Sequence, residues 1–127
     1  MMFLFVRSKP FIFYAKIQVL TCLEKDNLDA WYKDKRVNKQ IIKDAKNFAM
    51  AFLSKLENTA KDSGVLLSVH ILETKSISKQ IVDFAKSKKI NLIVIGSQGQ
   101  TGFNRFLLGS VSNAVSQSAK CPVLIIK

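Results

Sequence analysis

The chain has 127 residues, of which 48% are hydrophobic and 23% are charged, with 20 Lys and Arg against 9 Asp and Glu. This size and apolar content suit one globular domain and exclude a disordered chain. The longest apolar run, Met1–Val6, is far shorter than the roughly 20 residues of a membrane-spanning helix, and no positive charge precedes it as in a secretory signal. Cys22 and Cys121 form no C-x-x-C pair and are expected to be reduced thiols of a cytoplasmic protein.

The positive charge is concentrated near the carboxyl terminus. Residues 84–127 hold six bases and no acid, namely Lys86, Lys88, Lys89, Arg105, Lys120 and Lys127. The field of such a segment favours anionic ligands, although a solvated coat of Lys that only keeps the protein soluble is an equal alternative. Seventeen of the twenty bases are Lys, whereas reading of base edges uses Arg. Nucleic-acid binding is therefore only a third hypothesis, and a sequence-specific reader is not expected.

The first half of the chain predicts one strand and one long helix. Residues 1–15 contain no Asp, Glu or Gly, and we treat them as an atypical segment before a domain at 16–127. Lys16–Glu24 is rich in β-formers and predicts a strand. Apolar residues then recur at spacings of three and four from Val37 to Ala60, which predicts an amphipathic helix that ends at Asp62-Ser63-Gly64. The stretch Asn27–Arg36 has no clean period and predicts a loop or a separate helical turn.

The second half of the chain predicts three strands and two helices. Ser76 is a candidate N-cap for a short helix with Ile77, Ile81, Phe84 and Ala85 on its apolar face, and Ser110–Ala119 predicts a second helix. The strands are predicted at Val65–Glu73, Ile90–Ile95 and Pro122–Ile126. Strands that alternate with helices indicate an α/β fold with an open parallel sheet and helices on its faces.

A glycine-rich loop follows the most apolar of these strands. The segment from Gly96 to Gly109 holds four of the five glycines, and ligands of open parallel sheets bind beyond the carboxyl ends of the strands. We expect positive φ and close backbone approach at Gly96, Gly99 and Gly102. Gly109-Ser110 opens the next helix, whose free N–H groups and hydroxyl suit a phosphate. The spacing is neither the dinucleotide motif nor the P-loop, so an ordinary strand-to-helix loop stays an alternative.

The complete string Gly96-x2-Gly99-x9-Gly109-Ser110, followed by an apolar helix and C-P-V-L-I-I, resembles the universal stress protein family. The resemblance covers about Lys16–Lys127. It implies a Rossmann-like fold of the adenine nucleotide alpha hydrolase type, with ATP, and possible Mg²⁺, as the cofactor. It implies that the nucleotide contacts Gly96, Gly99, Gly109 and Ser110, with Ser97 and Arg105 as further candidates near the phosphates.

The resemblance also implies a biological role and an assembly. Members of this type act as cytoplasmic stress-response sensors or adaptors, and they form homodimers through the last strand, here Pro122–Ile126. The alternative is a dimerising interaction protein of the same fold that has lost ATP binding. No paired carboxylates or metal-ligand spacing occur, so we expect no catalytic residue and at most weak ATP hydrolysis. His70, the single histidine, is expected to be a strand residue, and Cys121 a packing residue, with Cys22 packed near the adenine position.

The front of the chain departs from the family pattern. The first strand and the first helix of that pattern are missing or replaced in this sequence. In the family that strand lies in the middle of a sheet of order 3-2-1-4-5 and leads into an Asp-bearing loop. Met1–Val6 could supply a central strand, with Arg7–Ala15 as its connection; one sheet face would then lack a helix and expose apolar side chains. Alternatively, residues 1–15 are a disordered or helical remnant that adds no strand, and the sheet has only the four later strands. We take this second alternative as the working prediction.

Overall fold

The computed structural model describes residues 2–9, 12–24, 35–97 and 108–127. Within these ranges the elements in chain order are β1 (Met2–Lys9), β2 (Ile12–Glu24), α1 (Lys35–Asp62), β3 (Leu66–Thr74), α2 (Ile77–Ser87), β4 (Leu92–Gly96), α3 (Ser110–Ser118) and β5 (Val123–Ile126). The predicted strands and helices from Lys16 onward are confirmed within two residues at each end, except that β2 begins four residues earlier. The predicted loop over Asn27–Arg36 lies largely outside the described residues, and Arg36 belongs to α1.

The five strands form one sheet of order β3-β2-β1-β4-β5. The pairs β2–β3 and β4–β5 are parallel, whereas β1 runs antiparallel to both of its neighbours. Met2 pairs with Thr21 of β2, and Val6 pairs with Leu92 of β4. The start of the chain therefore fills the central position of the sheet, and the working prediction of a four-stranded sheet is wrong.

The direction of β1 follows from the length of its connection to β2. The expected nine-residue connection Arg7–Ala15 does not exist, because β2 already begins at Ile12 and only two residues separate the strands. A parallel neighbour requires a crossover of a dozen or more residues, whereas a two-residue connection suffices for antiparallel strands. An apolar strand is equally suited to either direction, so the short connection decides it.

The helices are divided between the two faces of the sheet. The ring of His70 lies 4.9 Å from that of Phe84 on α2 in an edge-to-face arrangement, which places α2 on the His70 side of the sheet. Lys46 of α1 forms an ion pair with Glu73, three positions along the same strand and therefore on the opposite side. We call these the α2/α3 face and the α1 face. Val115 of α3 joins the same buried cluster as Phe84, so α3 lies beside α2.

The main core lies on the α2/α3 face. Its members share near-complete burial and come from β2, α2, β4, α3 and the turn between α2 and β4. They are Leu20, Cys22, Ile81, Phe84, Ala85, Ile90, Ile93, Ile95 and Val115. Full burial of each large aliphatic side chain stabilises the fold by about 1.5–3 kcal/mol. These contacts hold α3 against the end of β4, where the glycine loop begins.

The α1 face is less completely covered. Among the described residues α1 is the one helix on this face, and it contacts β3 and β2. Leu124 and Ile126 of β5 are 52% and 53% exposed there, and Phe48 of α1 is 79% exposed. Within the described ranges this face therefore has one helix and exposes apolar side chains, as expected for a chain whose first strand is central.

Two helices end in the same hydrogen-bonded turn with different residues at its left-handed position. After α1, Val65 N–H donates to the Ala60 carbonyl and Gly64 takes φ of +68°. After α2, Ile90 N–H donates to the Ala85 carbonyl and Lys89 takes φ of +51°. Glycine adopts this conformation without steric cost, whereas Lys89 does not. Sequence analysis predicted the first of these helix ends from Gly64.

Candidate functional site

Both ends of the glycine loop are attached to the carboxyl end of the sheet. Ser97 N–H donates to the carbonyl of Ile126 at 2.7 Å, which joins the end of β4 to the end of β5. Gly109 N–H then donates to the carbonyl of Ser97 at 2.7 Å. These two bonds bring Ser97 and Gly109, which are twelve positions apart, into direct contact. Of the predicted site residues, Gly96, Ser97, Gly109 and Ser110 are therefore neighbours, whereas Gly99 and Arg105 lie outside the described residues, as does Gly102.

A further hydrogen bond fixes α3 to this position. Ser112 Oγ donates to the carbonyl of Gly96 at 2.7 Å, and Ser112 is only 1% exposed. The bond supplies a partner to a strand-end carbonyl and holds the first turn of α3 beside β4. Sequence analysis missed Ser112. The available signal was its position three residues before Val115, on the buried side of a short amphipathic helix.

The backbone at the start of α3 is of an ordinary kind. Gly109 is the N-cap, with φ of −58° and ψ of 151°. Among the described residues Gly64 is the one glycine with φ in the left-handed region, so the expectation of positive φ at Gly96 is wrong. What Gly109 contributes is the absence of a side chain next to the exposed Ser110. No side chain at Gly109 therefore limits access to the first N–H groups of the helix.

The charge environment of the start of α3 suits an anion. The first turn of α3 has no acidic residue, and the first N–H groups of any helix have no partner within it. Such N–H groups, together with the positive end of a helix dipole, are in general favourable for a phosphate. Among the residues described, no three His, Cys, Asp or Glu side chains form a group that could hold a metal ion.

The reversed β1 changes what can reach this site. Its first residues pair near the carboxyl ends of β2 and β4, with Met2 opposite Thr21. Its last residues lie at the other end of the sheet, where Lys9 pairs with Ile12. The connection that follows β1 therefore lies at the end of the sheet opposite Gly96. It does not correspond to the Asp-bearing loop with which the family's first strand ends.

Comparison with known sequences supplies the decisive observation. A sequence profile described as "Universal stress protein family" matches residues 15–127, nearly the whole chain. The chain belongs to the universal stress protein family. This confirms the resemblance that the glycine motif indicated. The matched region begins within β2, so β1 lies ahead of it.

Two relatives show how much of a family protein this chain represents. Universal stress protein MJ0531 of Methanocaldococcus jannaschii is 44% identical over 75 residues, which are 59% of this chain and 44% of that protein. Universal stress protein YxiE of Bacillus subtilis is 35% identical over 88 residues, which are 69% of this chain and 59% of that protein. The matched part of the chain thus spans about half the length of these family members.

Solved structures of family proteins have the same fold. The hypothetical protein MJ0577 superposes with a TM-score of 0.78 at 19% identity and covers 94% of this chain and 79% of its own. Universal stress protein UspA from Lactobacillus plantarum superposes with a TM-score of 0.68 at 22% identity, over 87% of this chain and 76% of its own. These similarities confirm the predicted α/β architecture, with parallel strand pairs and helices on both faces.

The remaining candidate residues belong to the packing of this family fold. His70 Nε2 donates to Gln18 Oε1 at 2.7 Å, and burial, assisted by the nearby Lys88 and Lys16, lowers the pKa of His70. Burial raises the pKa of Cys22 to about 11 and also raises the pKa of Cys121. Both thiols are free, and both are protonated and poorly nucleophilic at neutral pH.

None of the helices in the described ranges has the length and apolar content needed to cross a membrane.

Proposed function

We propose that this universal stress protein binds ATP at the carboxyl end of β4 and acts as a stress-response sensor or adaptor. The observation that carries the proposal is the contact between the two ends of the glycine loop, where Gly109 N–H donates to the Ser97 carbonyl and Ser112 holds α3 against Gly96. The phosphates would lie at the start of α3, with N–H groups and the Ser110 hydroxyl as donors. Gly99 and Arg105 belong to the same proposed site by their position in the motif.

A second candidate function is a dimerising interaction protein without nucleotide. The reversal of β1 favours it, because the connection after β1 lies at the opposite end of the sheet from Gly96. The Asp-bearing loop that the family places beside the nucleotide and its metal is then not supplied by this strand. The two candidates share the fold and differ in whether the glycine loop retains affinity for ATP.

Calorimetric titration of the full chain with ATP, in the presence and absence of Mg²⁺, distinguishes the two functions. Saturable binding is expected for the wild-type chain. Gly109→Val should abolish this binding, because a branched side chain would occupy the space that the phosphates need. Its backbone angles are accessible to valine, so the circular dichroism spectrum should stay nearly unchanged. The absence of binding to the wild-type chain, or retained affinity in folded Gly109→Val, would overturn the ATP proposal.

Either function includes a proposed homodimer through β5. This strand pairs with β4 on one side and forms an edge of the described sheet, with Leu124 and Ile126 about half exposed. An exposed edge strand offers unpaired backbone groups to a second copy. Light scattering at micromolar concentration should give twice the mass of the chain. A monomeric mass would contradict the assembly without affecting the ATP proposal.

A further inference from the structure

A cleft lies at the opposite end of β4 from the glycine loop. Its volume is about 290 Å³, and it is bordered by the carboxyl-terminal ends of α2 and α3 and by the residues that lead into β4 and β5. Ala85 and Ile90 contribute apolar surface, and Lys86, Lys89 and Lys120 contribute three cations from two separate segments. The five residues of β4 separate this cleft from the proposed nucleotide site by roughly 16 Å. The two sites therefore share no lining residue.

Two sources of negative charge at this cleft are compensated, namely Asp83 and the carboxyl-terminal end of α2. Asp83, which is the one acid in its lining, pairs with Lys79 at 2.5 Å on the solvent side of α2. The last carbonyls of α2 accept hydrogen bonds from the turn that follows, including Ile90 N–H to Ala85 and Lys89 N–H to Lys86. These bonds quench the partial negative charge of the helix end. The three lysines thus keep a net positive potential in the cleft.

The positive potential extends beyond the cleft along the same end of the sheet. Lys16 lies at this end of the sheet, where it is the first residue of β2 to pair with β3. Lys88 follows α2 directly. The lowered pKa of His70, to which Lys88 and Lys16 contribute after burial, agrees with this excess of positive charge.

We propose that this cleft binds a compact ligand that carries one or two phosphate groups. Phosphate is favoured over a single carboxylate because its larger negative charge and its three acceptor oxygens match the three lysines of the lining. The Ser118 hydroxyl adds a neutral donor. A volume near 290 Å³ is at the lower end of the range for small-molecule pockets, so the ligand is small. This site is independent of the proposed ATP site.

Cys121 provides a reporter for this site because it lines the cleft. Alkylation of Cys121 by iodoacetamide at pH 8.5 is measured by mass spectrometry of the full chain, with pyrophosphate as the probe. Sodium chloride at equal ionic strength is the control for general screening. Cys22 is 4% exposed and has a pKa of about 11, so it serves as the unreactive internal reference. We expect pyrophosphate to slow alkylation saturably, because the bound anion covers the thiol and disfavours the thiolate.

Matched variants locate the effect. The double variant Lys86→Gln, Lys120→Gln should weaken pyrophosphate protection by about tenfold, since exposed charge interactions contribute a factor of a few each. Lys43→Gln, Lys55→Gln removes the same charge from exposed positions of α1 and should leave protection unchanged. Gly109→Val should also retain protection, which separates this site from the proposed ATP site.

Three results would overturn the proposal. The first is the absence of saturable protection in the wild-type chain. The second is an equal loss of protection in the α1 control variant, which would reveal a response to net charge alone. The third is tighter binding and stronger protection with a single-stranded oligonucleotide than with pyrophosphate, which would assign this surface to a polyanion.

Discussion

Ser112 Oγ donates a 2.7 Å hydrogen bond to the carbonyl of Gly96, and this bond joins the first turn of α3 to the last residue of β4. The two residues are sixteen positions apart, and the intervening chain contains the glycine loop. Because Ser112 is almost fully buried, no solvent is available to replace the bond. The position of the proposed phosphate site therefore depends on a residue that contacts no phosphate.

Replacement of Ser112 by alanine should reduce the free energy of unfolding by about 1–3 kcal/mol, because the Gly96 carbonyl loses its side-chain partner in a buried position. Urea denaturation followed by circular dichroism measures the change. Ser116→Ala is the control on the same helix, since its hydroxyl bonds to the Asn113 carbonyl at an exposed position, and it should change stability by less than about 0.5 kcal/mol. Equal effects of the two variants would contradict the anchoring role of Ser112.

Substitutions at the left-handed positions after α1 and α2 should change the free energy of unfolding in opposite directions. Gly64→Ala should destabilise the protein by about 1–2 kcal/mol, because no atom crowds the added Cβ and the whole cost arises from φ of +68°. Lys89→Gly should stabilise it by about 1 kcal/mol, because glycine relieves the same strain at φ of +51°. Thermal and urea denaturation of both variants tests the pair. A destabilising Lys89→Gly would show that the lysine side chain contributes more than its backbone strain costs.

Stability should fall as the pH drops through the titration range of His70. Its pKa is lowered in the folded protein by burial and by Lys88 and Lys16, so the unfolded chain binds the proton first. The stabilisation is complete above the ordinary value of 6.5 and is lost as the pH falls toward the lowered folded value. Urea denaturation at pH 7.5 and 5.5 measures the difference. In His70→Gln the difference in unfolding free energy between the two pH values should be smaller. An unchanged difference in that variant would assign the pH dependence to other groups.

Deletion of Met1–Lys9 should unfold the chain, because it removes the central strand and leaves unpaired backbone on β2 and β4. Each buried unsatisfied backbone group costs about 1–3 kcal/mol. Leu4→Pro tests the same strand without shortening the chain, because proline removes one backbone donor and restricts φ. Leu4→Thr retains the donor and is the control. Unchanged thermal stability after the deletion would show that the sheet does not need β1.

The sequence determined those features that depend on neighbouring residues. The long helix α1 follows from apolar spacings of three and four, and its end follows from Gly64, which occupies the left-handed position. The start of α3 at Ser110 was likewise predicted from Gly109-Ser110. In each case the signal lies within a few residues of the feature, because helix periodicity and helix caps are local. The glycine motif identified the family for the same reason, since its spacing is contained in one loop.

Only the tertiary structure decided the features that join distant parts of the chain. The start of the chain is apolar enough for a central strand in either direction, and its antiparallel direction depends on the beginning of β2 at Ile12. The bond from Ser112 to Gly96 and the gathering of Lys86, Lys89 and Lys120 around one cleft also join separate segments. A sequence pattern records which face of an element is apolar. It does not record which partner that face meets, because the partner is set by the packing of the whole sheet.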